Sequence, residues 1–249
     1  PNGSIYVFAS PEMAWNVEGA VRDLFAVVSN IRWQKDSGWH KRAAKEDLRG
    51  PFSASETIIL AEHDFEWVRS YLDSERRQAG VSFDDVRKAV GCAEGSGLPS
   101  HWFTRSQWML PSRATYETLR ALFSRNGGDF LPRDYDSLRR PFNVSAAVPY
   151  TDVWTYETVN TYPGKHPCEK PAEMARDMVR ASSREGGIVA DFFCGSGAFL
   201  AAAVAEGRRA IGCDMDPHWA EQATRRCDAV KATGRIVRTA PKSKSDGQR

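Results

Sequence analysis

No stretch of this chain is apolar for long enough to cross a bilayer, and its opening residues lack the charged and apolar blocks of a secretory leader. A location in the cytoplasm, of a bacterium or a phage-infected cell, is therefore expected, with no membrane partner. Cysteine is scarce: Cys92, Cys168, Cys194, Cys213 and Cys227 are odd in number and form no CxxC pair. A disulfide framework and a zinc knuckle are both disfavoured, and no metal site is expected. Charge of one sign is also lacking. The formal net charge is +2, so no overall field announces a polyanionic partner, although a near-neutral total can contain a basic face. What the 249 residues do have is apolar material, 41% of the chain, enough for one large core or two smaller ones.

That material follows two patterns. From residue 1 to about 64 strands and helices alternate. "SIYVFA" reads as a buried strand, Ser10-Pro11 as a helix start, Met13 to Val28 as a helix, "NIRWQK" as extended and "ETIILAE" as a second buried strand. The chain opens on a turn running into that first strand, with no lead-in, so the start of this half is expected to lie upstream. A polar loop carrying Lys35, His40, Lys41, Arg42 and Lys45 separates the later strands. From 65 to 144 only helical spacing is found. Phe65, Val68, Tyr71, Leu72 and Ala79 share a face up to Gly80, and Ser82 with Asp85 forms a capping box. "LPSHWFTRSQW" then reads as the third segment of a helix-turn-helix, followed by a helix with Tyr116, Leu119, Leu122 and Phe123. Alternation resumes from 145 to 237: a helix from Ala172 to Ser182, "GGIVADFF" as a buried strand, a helix from Gly197 to Glu206, the strand "RAIGCDMD" and a helix from His218 to Ala232. Residues 238–249 read as a solvated, disordered tail.

The most informative stretch is "DFFCGSGAFL", residues 191–200, where a strand ends at Asp191, bends through Gly195 and Gly197 and enters a helix. Such a turn offers backbone N–H groups and a helix N-terminus to a ligand. It is not a Walker loop, because no GK[ST] follows. It is not a dinucleotide fingerprint, because Leu200 holds the third glycine position, and it is not a GxSxG elbow. Asp214 ends the next strand about 20 residues on, the spacing of a carboxylate that accepts from a ribose diol. A ligand containing a nucleoside fits best.

The order "HPCEKP", "DFFCGSGAFL", "GCDMD" resembles the three cofactor motifs of the amino-methylating DNA methyltransferases, which use S-adenosylmethionine as cofactor. "PNGSIYVFAS" and "SASETIILAEH" are similar to later strands of that family's catalytic half, which places the chain with its circularly permuted beta class. The resemblance implies an α/β fold with a Rossmann-like methyltransferase sheet, interrupted by an all-α target-recognition insert. It implies Asp191, Phe192, Phe193, Gly195 and Gly197 around the cofactor, Asp214 on its ribose, and His166, Lys170 and Pro171 beside its methionine end. It also implies double-stranded DNA as partner. A restriction endonuclease and a second copy of the chain are further partners that the sequence neither requires nor excludes.

Amino methylation has a chemical difficulty that the family meets with an acidic or amide residue, two prolines and an aromatic, which accept the amine's protons and stack on a flipped base. No such tetrapeptide occurs here. "DPHW", Asp216 to Trp219, follows the ribose-binding strand and lacks the second proline, so the family's order puts the catalytic motif upstream and leaves the catalytic residues unassigned. In the insert, Ser100, His101, Thr104, Arg105 and Gln107 are candidates for base edges or phosphates, and Arg113 for a phosphate. The expected activity is site-specific methyl transfer to an exocyclic amine, adenine N6 favoured over cytosine N4. The alternatives are a DNA-binding relic of such an enzyme and an NAD-dependent oxidoreductase.

Overall fold

The computed structural model describes residues 3–35, 46, 49–51, 53–63, 65–144 and 150–236. His40, Lys41, Arg42, Lys45 and the tail 238–249 lie outside the described residues. The chain divides into two compact units, one of residues 62–140 and one assembled from 3–61 with the chain from 141 onward.

The assembled unit is α/β. Strands β1 (Ser4–Ala9), β2 (Ala26–Lys35), β3 (Ser55–Glu62) and β4 (Val153–Tyr156) form a sheet in the order β1-β3-β2-β4. In β3 five consecutive residues, Thr57 to Ala61, are buried, the mark of a strand covered on both faces. Strand β4 runs parallel to β2 with Trp33 opposite Trp154, and the Trp33 indole N–H donates to the Tyr156 carbonyl at 3.0 Å. Helix α6 (Ala172–Ser182) seats Met174 and Met178 in the core formed with Ile31, Trp33, Ile58, Leu60, Trp154 and Tyr156. The Tyr156 hydroxyl donates to Asp177 on the same helix at 2.7 Å.

A second, two-stranded parallel sheet pairs β5 (Ile188–Asp191) with β6 (Arg209–Gly212), with Asp191 opposite Gly212. Helix α7 (Ala198–Ala205) packs against α6, α8 (Pro217–Thr233) and both strands. Its sequence, AFLAAAVA, is apolar all round, which suits an element enclosed on every side.

Two expectations are corrected in this unit. The helix expected from Met13 to Val28 is α1 (Ala14–Arg22); Ala26, Val27 and Val28 already belong to β2, because a β-branched pair favours the pleated strand. Pro11 lies in the preceding turn and Ser10 does not cap the helix. Strand β5, expected to be buried, leaves Ile188 53% exposed. Among the described residues only β6 pairs with it, and two strands cannot enclose one another.

The other unit contains α2 (Glu66–Gln78), α3 (Phe83–Ala89), a 3₁₀ helix (Leu98–Trp102), α4 (Arg113–Phe123) and the short α5 (Tyr135–Leu138). Leu72, Val86, Trp102, Phe103, Tyr116, Leu119 and Phe123 are among the residues of its core. The Ser82–Asp85 capping box opens α3, and Ser112 caps α4 by accepting from the Thr115 N–H at 3.1 Å. The loop before α5 is clamped by α4: the Tyr116 hydroxyl donates to the Arg133 carbonyl at 2.8 Å, and Arg120 donates to the Leu131 and Arg133 carbonyls at 2.9 and 2.7 Å. The helix expected at "LPSHWFTRSQW", the third segment of the helix-turn-helix, is not formed. Its segment makes one 3₁₀ turn and then non-helical turns, because Gln107 takes a φ of +53° and Pro111 follows, and both stop a helix from propagating.

Candidate functional site

The sequence feature singled out above becomes a closed turn in the α/β unit. Between β5 and α7, residues Cys194 to Ala198 are buried, and Gly197, with a φ of +74°, caps the N-terminus of α7. A Cβ at Gly197 would lie 2.6 Å from the Cβ of Ala223 on α8, so glycine lets the turn lie directly on that helix. At Gly195, with a φ of +47°, a Cβ would lie 3.0 Å from the His166 ring. Two of the predicted segments, "HPCEKP" and the glycine turn, therefore meet at this point.

Hydrogen bonds close the rest. The Gly195 N–H donates to the Asp214 carboxylate at 2.8 Å, and the Gly197 N–H to the Cys194 carbonyl at 2.7 Å. The other Asp214 oxygen accepts from the Asp216 N–H at 3.0 Å. These backbone donors, Asp216 first and then Gly195, hold the Asp214 carboxyl below the usual range. Asp191 goes the other way: burial, reinforced by the Asp214 charge, raises it. The pair thus combines a firm anion, which accepts from hydroxyls, with a neighbouring acid that keeps its proton more readily. Phe193 is 87% exposed and Phe192 64%, both aromatic faces beside the turn. No side chain caps the first N–H groups of α7, which leaves the positive end of its dipole without a side-chain acceptor.

His166 accepts from the Cys168 N–H through Nδ1 at 3.2 Å, which puts its ring proton on Nε2. Burial lowers its pKa, which favours the neutral ring, and it meets the Trp219 ring edge to face at 4.6 Å. Pro171 is buried at the start of α6. Lys170 takes a position the sequence did not indicate. Its ammonium pairs with Glu56 of β3 at 3.1 Å, alongside Lys35, and lies over the rings of Phe8 and Trp33. Lys170 therefore fastens the loop to the four-stranded sheet. "DPHW" is the entry to α8: Asp216 caps it, accepting from the His218 N–H at 2.9 Å, and Pro217 takes its first turn.

Two buried charged side chains beside the turn were not indicated by the sequence. Glu169, inside "HPCEKP", and Arg226, on α8, form a buried ion pair at 3.0 Å. Only the acidic residue within the motif hinted at it, since nothing in the spacing of α8 identifies its partner.

In the helical unit the side chains of four of the six candidates for nucleic acid already have partners. Ser100 donates to the Gly97 carbonyl at 2.7 Å and Thr104 to the Ser100 carbonyl at 2.9 Å. His101 is half-buried, its carbonyl accepting from the Met109 N–H at 3.1 Å. Gln107 is exposed. Arg105 pairs with Glu66 at 3.1 Å, and Arg113 pairs with Asp136 at 2.5 Å while lying over the Tyr135 ring. Arg69, with help from Arg105, brings the Glu66 carboxyl down to about 2. Trp102 is buried in the core, and Trp108 packs against it, stacked on Phe65.

A family model described as DNA methylase, for the N6 and N4 enzymes, matches residues 1–225. Among curated proteins, the type II methyltransferase M2.DpnII of Streptococcus pneumoniae is 36% identical over 85 residues, 33% of this chain and 32% of that protein. The DNA adenine methyltransferase YhdJ of Escherichia coli K12 is 31% identical over 102 residues, 40% of this chain and 32% of that protein. The chain thus spans about a third of the length of the curated relatives it matches. Two solved structures share the fold. One is that of an M1.HpyAVI–SAM complex (TM-score 0.52, 15% identity, 91% of this chain and 74% of that one). The other is the PvuII cytosine-N4-specific DNA methyltransferase (TM-score 0.51, 13% identity, 90% and 63%).

Proposed function

Since the chain belongs to the DNA methylase family, we propose that its glycine turn holds S-adenosylmethionine for methyl transfer to an exocyclic amine of a base in double-stranded DNA. The observation that carries this reading is the bond from the Gly195 N–H to Asp214, which joins the turn to the acid at the end of the second strand. Asp214 accepts from the ribose hydroxyls with its remaining lone pairs. The open end of α7 faces the methionine carboxylate, an anion that needs fewer glycines than a pyrophosphate. Phe192 and Phe193 supply apolar surface beside the adenine, and His166, neutral and packed on Gly195, closes the methionine side. When bound, the cofactor supplies the electrophilic methyl group.

Within this reading the helical unit meets the duplex, through Ser100, His101, Thr104, Arg105, Gln107 and Arg113. Adenine N6 is favoured over cytosine N4. Support for that preference is the likeness to YhdJ, a DNA adenine methyltransferase, and the cytosine-N4-specific PvuII enzyme stands on the other side. Calorimetric titration of the chain with S-adenosylmethionine tests the donor, with NAD as competitor control and Asp214→Ala as site control. Saturable binding that weakens in the variant is expected; binding of NAD instead would overturn the reading. Nucleoside mass spectrometry of DNA methylated by the enzyme tests the base, and N4-methylcytosine alone would reverse the preference.

A further inference from the structure

We propose that Glu169 and Arg226 are positioning residues that hold the glycine turn in its ligand-binding shape. This rests on the donor reading above. Their side chains are 1% and 4% exposed, so both charges are out of water. A buried pair is seldom the most stable filling for its space, since apolar side chains of similar volume often do as well or better. The pair is not optimised for stability either, because the Arg226 Nε–H has no acceptor among the described residues.

What the pair does achieve is geometric. The Arg226 Nη1 group that donates to Glu169 also donates to the Ser196 carbonyl at 3.3 Å and to the Ser196 hydroxyl at 3.2 Å. The second Glu169 oxygen accepts from the Tyr162 hydroxyl at 2.6 Å. One network therefore joins three separate pieces of chain: the segment leading into α6, the glycine turn and α8. Gln222, one helical turn before Arg226, adds a second strut to the Gly164 carbonyl at 3.4 Å. Between the two struts lies Ala223, the residue on which Gly197 rests. With the Ser196 carbonyl held inward and the Gly195 N–H held by Asp214, the turn has little freedom left, and its shape is fixed before a ligand arrives.

The test is the double variant Glu169→Leu with Arg226→Met, which removes both charges and keeps the volume. Its melting temperature, its calorimetric affinity for S-adenosylmethionine and the hydrogen exchange of the amides from 195 to 199 are compared with those of the wild-type chain. The expected result is a melting temperature close to wild type, faster exchange confined to the turn, and affinity reduced on the order of tenfold or more, the signature of a lost positioning element. Affinity within twofold of wild type in the folded double variant would overturn the inference and leave the donor reading intact. Should the double variant fail to fold, Arg226→Lys decides. It keeps a positive charge near Glu169, but its shorter side chain does not bring one nitrogen to Glu169 and Ser196 together, so weakened binding supports the proposal and unchanged binding overturns it. A wild-type chain that bound no S-adenosylmethionine would remove the donor reading and this inference together.

Discussion

The glycine turn from 194 to 198 and the segment from 98 to 113 are both the expected contact regions of their units, and they are built on opposite principles. The turn is backbone, and each of its residues is fixed by a neighbour: Gly195 by Asp214, Ser196 by Arg226, Gly197 by Ala223. In the other segment the offered groups are long side chains, and those that carry charge are already paired, Arg105 with Glu66 and Arg113 with Asp136. A site made of backbone is rigid and tolerates little change. One made of paired, exposed side chains must release its internal partners to bind, and can lose a member at small cost to the fold.

The largest effect is expected where a charge would be stranded inside the turn's support. Arg226→Met alone leaves the Glu169 carboxylate buried without its partner, which costs about 3–5 kcal/mol of stability. Urea unfolding measures it, and a loss below about 1 kcal/mol would show that the pair is not buried in solution.

Next comes the turn itself. Gly197→Ala meets both a left-handed backbone and a neighbour 2.6 Å away, so strain and overpacking together are expected to remove about 2–4 kcal/mol. The paired control is Gly19→Ala in α1, where a Cβ meets nothing within 4 Å and helix propensity alone predicts a gain of about 0.5–1 kcal/mol. Equal responses at the two positions would show that the turn has no special backbone demand.

A further contrast is pH. Burial lowers the folded pKa of His166, so the unfolded chain takes up the proton first as the solution is acidified. The contribution of His166 is complete above the ordinary histidine value and is lost as pH falls below it, levelling off once the folded state also protonates. His166→Gln is expected to flatten that part of the stability profile relative to the wild-type chain. Thermal melts from pH 8 to 5 compare the two, and identical profiles for His166→Gln and wild type would remove the buried, neutral histidine from the site.

The two regions also differ in how much of them the sequence revealed, and for the same physical reason. Gly195, Gly197 and Asp214 were legible because sterics and strand spacing dictate them: few residues fit a left-handed turn pressed against a helix. The α/β class, the Ser82 capping box and the extent of α6 were legible because apolar periodicity and caps act locally. Strand β4 was not, since four residues are too few to show a period. The exposure of β5 was not, because burial depends on which strands pair and not on the run itself. The Glu169–Arg226 pair joins residues 57 positions apart, beyond any local pattern. The helix expected after residue 98 stops in spite of its spacing: Pro99, Trp102 and Phe103 are all buried at i, i+3 and i+4, as on one helical face, but the left-handed backbone at Gln107 and then Pro111 end the turn, and the first of these is not legible in an apolar pattern.

The smallest effect on stability is expected from the paired arginines of the helical unit. Arg105 is exposed, and surface pairs like Arg105–Glu66 add little to stability, so Arg105→Ala and Arg113→Ala should each leave the urea unfolding midpoint close to wild type. Their value lies in a different readout. If each guanidinium exchanges its carboxylate for a phosphate when the duplex arrives, removing it lowers the slope of log K against log salt by about 1, while Glu66→Gln, which frees Arg105 beforehand, tightens binding. Unchanged salt slopes in both arginine variants would return this segment to a purely structural task and leave the duplex contact to be sought elsewhere on the chain. A weaker slope with unchanged stability would establish the contrast from the other side, as a contact surface whose members can be removed one at a time while the fold stands.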